Sequence, residues 1–223
     1  MREIILDTET TGLDPNDGHR IVEIGCLELV DRVWTGRTWQ QYINPERAMT
    51  DDAYRVHGIS DADLADKPTF GAIAEEFLAF VDGAPIVAHN AAFDMKFLNW
   101  ELTNIGREPL PMDRVVDTLA IARKRFPGAA NSLDALCRRF EVDNTDRTLH
   151  GALIDSRLLA DVYYHLVGVK QAGLTFGEDQ GEGAAGPARR YRAPRPHAPT
   201  EAELAAHAAF LESHVSAAIW LKN

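Results

Sequence analysis

The chain is poor in cysteine: Cys26 and Cys137 are the only two in 223 residues, and both sit inside apolar periodic segments. This argues against a disulfide-stapled scaffold. It also argues against a zinc site, which needs more ligands at closer spacing, and it predicts buried, reduced thiols in a cytoplasmic protein. Long apolar runs are missing, and none approaches the ~20 residues that span a bilayer, so no membrane partner is expected. Met1-Arg2-Glu3 leads straight into a strand, which leaves no place for a secretory signal. Positive charge is in deficit: 23 Lys and Arg against 34 Asp and Glu give a net charge of −11. That disfavours a protein that grips long nucleic acid by bulk electrostatics. It leaves open an enzyme that holds one strand end through metal ions, or one delivered to DNA by a partner. The remainder, 45% hydrophobic and 26% charged residues, suits one sizeable globular domain with extensions.

What is there begins with Ile4-Ile5-Leu6-Asp7-Thr8-Glu9-Thr10-Thr11-Gly12. The apolar start reads as a buried strand. Alternation along a strand puts Asp7 and Glu9 on one face, side by side. Two like charges there need a proton or a cation, and a hard divalent ion prefers carboxylate oxygens. Taken alone, the pair also fits a strand that runs into a solvated polar turn.

Downstream, residues 13–19 read as a loop, 20–30 as a second strand and 35–43 as a third that stops at Asn44-Pro45. Their short connections predict an antiparallel meander. A short helix over 51–56 ends at His57-Gly58. A longer one opens near Thr69 with the stripe Phe70, Ile73, Phe77, Phe80 and Val81. Short strands at 85–88 and 115–117 alternate with helices at 92–105, 118–126, 132–140 and 151–167. The order predicts an α/β domain whose mixed sheet joins a meander to parallel crossover strands. Composition shifts after Val169: residues 173–199 are rich in Gly, Pro, Ala and Arg, 169–199 read as a flexible linker, and periodicity returns over 200–221 in a tail of residues 200–223.

Two more acids fall at element ends. Asp94, in His89-Asn90-Ala91-Ala92-Phe93-Asp94, lies in the first turn of a helix that follows a buried strand, at the sheet edge where open α/β folds place ligands. A plain helix-dipole role also fits it. Asp155, in His150-Gly151-Ala152-Leu153-Ile154-Asp155, continues the inward stripe of Leu159, Val162 and Leu166, and an acid there is costly unless paired or metal-bound. His150 precedes that helix on a loop, as an exposed histidine or as a group poised to meet a water.

The segments 7–12, 89–94 and 150–155 together resemble the three motifs of the DEDDh 3′–5′ exonucleases, in order and with similar spacing, over roughly residues 1–168. The resemblance implies a ribonuclease H-like fold and removal of nucleoside 5′-monophosphates from a 3′ end by two divalent cations, Mg²⁺ or Mn²⁺, roughly 3.5–4 Å apart. Asp7, Glu9, Asp94 and Asp155 would be the metal ligands and His150 the general base. His57, in Val56-His57-Gly58-Ile59, matches a family histidine that contacts the terminal nucleotide. Asp52 holds the position of an acid that contacts the sugar, where a longer Glu is usual. The substrate implied is a single-stranded or frayed DNA 3′ end. An RNA-directed member of the family, or a binding module that has kept only the fold, is the alternative.

The extension adds partner motifs. Gln171, Leu174 and Phe176 resemble a short sliding-clamp peptide with two apolar anchors. Thr200 and Glu203 form a capping-box pattern ahead of Leu204, Ala208, Leu211 and Val215, which predicts a helix with one apolar face. Ile219-Trp220-Leu221 follows. A short helix cannot bury such surface alone, so a partner is expected. The segment resembles the polymerase-binding tail of proofreading members of the family, with Leu204, Leu211 and Trp220 as contacts. The implied partners are therefore the catalytic subunit of a replicative polymerase and its clamp.

Overall fold

The structure is a computed structural model, and it describes residues 1–145, 149–168 and 198–214. The chain divides into two compact units, Met1–Gly173 and Leu174–Asn223.

The first unit is built on a five-stranded mixed sheet in the order β3-β2-β1-β4-β5. β1 (Arg2–Thr10), β2 (Ile21–Val30) and β3 (Val33–Tyr42) form the antiparallel meander, with Asp7 opposite Gly25 and Glu9 opposite Glu23. β4 (Ile86–Ala88) lies parallel to β1, and β5 (Val115–Asp117) lies parallel to β4. The mixed sheet expected from the element order is thus the one observed. β3 starts two residues before the sequence reading. Asp31 and Arg32 both take left-handed backbone (φ 52° and 66°), forming a two-residue turn that Asn-Gly usually marks.

Helices α1 (Asp51–His57), α2 (Asp61–Leu64), α3 (Phe70–Val81) and α4 (Ala91–Asn104) follow the meander and flank β4. α5 (Thr118–Arg125), α6 (Leu133–Phe140) and α7 (Ala152–Val167) complete the unit. Alternation along β1 divides the core between the two faces of the sheet. Ile4 and Leu6 pack with Phe70, Phe77, Phe97 and Leu98 of α3 and α4. Ile5 packs with Leu27, Val87, Leu159 and Tyr163 on the α7 side. Leu136, Val162 and Leu166 continue that side beneath α5 and α6. β2, covered on both faces, is buried from Ile21 to Leu29, which is why it shows no clean alternation. Cys26 and Cys137 are fully buried, and burial pushes the Cys26 thiol pKa up.

In the second unit, α8 (Glu201–His214) starts at the expected capping box: Glu203 N–H donates to Thr200 Oγ1 at 3.3 Å, and Thr200 N–H donates to Glu203 Oε2 at 2.7 Å. The single apolar face expected from Leu204, Ala208 and Leu211 needs correction. Phe210 is as exposed as Leu204, and six positions along a helix is a rotation of about 240°, so apolar side chains wrap around it. Gln171, Leu174, Phe176, Val215 and Trp220 lie outside the described residues. Among the described residues no helix is long and apolar enough to cross a membrane.

Candidate active site

The site gathers at the carboxyl ends of β1 and β4. Side chains of Asp7 and Glu9 point to the α7 face, as Ile5 does, and β2 delivers α7 to them. Gly25 of β2 allows the closest approach: a Cβ there would stand 2.3 Å from backbone atoms of Ala152 and Leu153. Two buried hydrogen bonds fix the contact. Ser156 Oγ donates to the Gly25 carbonyl at 2.9 Å, and the Ala152 N–H donates to Glu23 Oε2 at 3.1 Å. Glu23 is itself buried, which raises its pKa, while Gln40 donates to its other oxygen at 2.6 Å.

That lock presents Asp155, in the first turn of α7 and 3% exposed. Ligand atoms of Glu9, His150 and Asp155 all lie within 4.8 Å of one another. His150 Nδ1 sits 3.1 Å from Asp155 Oδ2, and its side chain keeps 46% of its surface exposed. The His150 backbone N–H donates to the Val56 carbonyl. With Nδ1 turned to a carboxylate, the imidazole presents Nε2 as its acceptor. Asp7 is half-buried and lines the same cleft as His150 and Asp155.

Asp94 approaches β1 from the other face. It is 3% exposed, accepts a 2.7 Å hydrogen bond from Thr8 Oγ1, and burial raises its pKa to about 7. The turn that delivers it is tightly specified. Asn90 adopts left-handed backbone (φ 68°), its N–H donates to Asp117 Oδ1, and Asp117 also caps α5 at Leu119. His89 is tied to Thr118 Oγ1 at 2.9 Å. The structure therefore groups Glu9, His150 and Asp155 tightly, sets Asp7 in their cleft, and holds Asp94 through Thr8 on the opposite face of β1.

A second cleft, of about 560 Å³, opens beside Glu9 and is lined by Thr10, Asp52, Val56, His57 and Phe93. His57 is buried. Its Nδ1 accepts from the Ile59 N–H at 3.0 Å, which makes Nε2 the donor, and burial holds its pKa below the usual value. Asp52 stands in the first turn of α1, highly exposed, and pairs with Arg55. Sequence reading missed Thr8, Glu23, Gly25 and Ser156. Glu23 alone carried a signal, as an acid inside a buried β-branched run.

A carboxylate-rich cluster thus lies at the strand ends of a mixed five-stranded sheet, on a ribonuclease H-like fold. The exonuclease family model (RNase_T) matches residues 4–163. The DNA polymerase III epsilon subunit of Rickettsia felis is 56% identical over 177 residues, 78% of this chain and 77% of the relative. That of Escherichia coli K12 is 48% identical over 183 residues, 78% of this chain and 74% of the relative. Among solved structures, exonuclease X in complex with 5′-overhanging duplex DNA superposes with a TM-score of 0.59 at 28% identity, over 74% of this chain and 90% of that one. The nuclease domain of 3′hExo, a DEDDh family member bound to rAMP, shares the fold with a TM-score of 0.65 at 20% identity, over 74% of this chain and 91% of that one. The chain belongs to the exonuclease family and, within it, groups with the epsilon subunits of DNA polymerase III.

The family fold implies the use of divalent metal. The residues present fit it: an oxygen-rich set from Glu9, Asp155 and Asp7, with a buried carboxyl at Asp94 whose charged form needs a nearby cation.

Proposed function

We propose that this chain is a proofreading 3′–5′ exonuclease of a cytoplasmic replisome, cutting nucleoside 5′-monophosphates from single-stranded or frayed DNA 3′ ends. The observation that carries this reading is the convergence of Glu9, His150 and Asp155 within 4.8 Å, with His150 and Asp155 lining a cleft of about 730 Å³. Asp7, Glu9, Asp94 and Asp155 would hold two divalent cations, Mg²⁺ or Mn²⁺. Asp7 would contribute to both, Glu9 and Asp155 would serve the side of the attacking water, and Asp94 the leaving side. When bound, the ions supply Lewis acidity to both oxygens of the displacement.

The chain's own groups do the rest. His150 Nε2 takes the proton of the attacking water, while Asp155 on Nδ1 fixes the tautomer and steadies the imidazolium that forms. The terminal nucleotide occupies the cleft of His57 and Phe93. His57 Nε2–H donates to it, and Asp52 accepts from the sugar hydroxyl, turning from Arg55 to do so. The linker peptide at Gln171, Leu174 and Phe176 engages the sliding clamp, and residues 200–223 engage the polymerase catalytic subunit through Leu204, Leu211 and Trp220. The domains are then 1–168 for catalysis, 169–199 for the linker and 200–223 for docking.

The test is Asp7→Ala assayed on single-stranded DNA, on short RNA and on the p-nitrophenyl ester of thymidine monophosphate. Loss of Mn²⁺-dependent hydrolysis with the fold intact is expected; a fully active variant refutes the mechanism. Turnover of the unmutated protein that favours RNA over DNA would shift the substrate assignment to RNA.

A further inference from the structure

We infer that Arg123 is the subsite for the first phosphodiester upstream of the scissile one, so that the strand runs from the His57 cleft, over the carboxylates, to the end of α5. The inference rests on the proposed exonuclease reading and adds a binding residue to it. Two clefts flank the carboxylates. One is the terminal-nucleotide cleft. The other, of about 730 Å³, is lined by Asp7, His150 and Asp155 at one end and by Arg123, Asn131 and Ser132 at the other. A nucleotide in the first cleft, with its 5′ phosphate at the carboxylates, sends the preceding nucleotide and its own 5′ phosphate into the second.

Charge makes the assignment specific. The chain carries −11, so a phosphate lying beyond the carboxylates and the cations they would hold meets repulsion unless a basic side chain faces it. Among the described residues, Arg123 is the one lysine or arginine lining this cleft. It lies in the last turn of α5, is exposed, and makes no hydrogen bond or ion pair with a described residue. Its neighbours Lys124 and Arg125 do not line the cleft, and Arg125 is committed to the carbonyls of His165 and Leu166. A planar guanidinium matches two phosphate oxygens at once, which an ammonium does not.

The wall behind Arg123 is preformed. Asn131, buried, donates from Nδ2 to the carbonyls of Phe126 and Ala129 at 3.2 and 3.0 Å and accepts from Arg139 at Oδ1. Ser132 Oγ accepts from the Ala135 N–H and caps α6. This part of the cleft wall is thus held by side chains that do not themselves need the substrate for order.

The experiment compares the dinucleotides TpT and pTpT, which differ only in the phosphate 5′ of the penultimate nucleotide, in the full-length protein with Mn²⁺. The unmutated protein should favour pTpT in kcat/KM by about tenfold, the scale of one charge-assisted phosphate contact. Arg123→Gln should bring pTpT level with TpT, acting through KM, and Arg123→Lys should restore part of the preference. On longer single strands, Arg123→Gln should also flatten the slope of log kcat/KM against log salt by about 0.7, the share of one phosphate. A preference for pTpT that survives in Arg123→Gln overturns the assignment. So does an equal loss on both dinucleotides, which would place Arg123 in the fold or at the reacting atoms. Failure of the unmutated protein to cleave either dinucleotide would refute the exonuclease reading beneath it.

Discussion

The contact between β2 and α7 makes a prediction that can be worked from distances. In Gly25→Ala the new Cβ would lie 2.3 Å from Ala152 C and Leu153 N and 2.5 Å from Ala152 O. Real carbon contacts begin about 1 Å farther out, and all three atoms are backbone, so no side chain can swing aside. The first turn of α7 must retreat by roughly that amount. Overpacking a well-filled interior costs about 1–3 kcal/mol. The retreat also stretches Ser156 Oγ–Gly25 O and Ala152 N–Glu23 Oε2, buried bonds worth about 1 kcal/mol each. The expected destabilisation is on the order of 3 kcal/mol, or about 6–12 °C in Tm for a unit of this size. Asp155 rides on that turn with His150 against it, and a misplacement of about 1 Å at a reacting centre lowers rate by about 10²-fold. Calorimetry gives the first quantity. Initial rates on the p-nitrophenyl ester of thymidine monophosphate, read well below the new Tm, give the second. A variant that melts early yet turns over within threefold of the parent would show that the position of α7 does not govern the chemistry. A variant unchanged in both would refute the packing argument itself.

Three further outcomes follow from the same geometry. His150→Ala should lose about 10²–10⁴-fold in kcat while calorimetric titration shows metal still bound; a rate within a few-fold of the parent would move His150 to substrate positioning. Asp94, with its carboxyl raised to about 7 by burial, holds in the metal-free fold a proton that the unfolded chain has released above the usual carboxylate range. Metal-free stability should therefore fall as pH rises from about 4 to 7, and Asp94→Asn should flatten that fall; identical pH slopes of Tm would contradict it. Deleting residues 200–223 should leave hydrolysis of single-stranded DNA intact and abolish co-purification with the polymerase catalytic subunit, whereas loss of activity would make the tail part of the nuclease unit.

Much of this architecture was legible because the sequence obeys local rules where they are strongest. Period-two alternation put Asp7 and Glu9 on one face, and the structure keeps them there. Thr200 marked a helix start that a hydrogen bond now accounts for. The rest was hidden for identifiable reasons. α2 spans four residues, too few for a helical period, although Ser60 and Asp63 form a full capping box. The turn at Asp31-Arg32 uses left-handed backbone without Gly or Asn. Gly25 reads as an ordinary interruption in a strand, because what it permits is contact with a helix more than 120 residues away.

The division of the acids between the two faces of β1 is the feature that alternation could only half supply. Asp7 and Glu9 face α7, so their alignment with Asp155 depends on the packing of Ile5, Leu27 and Leu159 and on the Glu23 and Ser156 contacts. Asp94 belongs to the other layer. Its place depends on α4, on Phe97 and Leu98 in the opposite core, and on Thr8, the residue between Asp7 and Glu9 that points away from both. The two layers approach each other only where β1 ends and the sheet no longer separates them. A motif read as Asp-x-Glu is thus, in three dimensions, Asp-Thr-Glu with all three side chains in use. Two set one face of the site, and the middle one ties down the acid that arrives from the other. Disturbance of the α7 layer should therefore reach Asp155 and His150 first, and disturbance of the α4 layer Asp94. Full assembly of the site requires both hydrophobic cores to be in register with one strand.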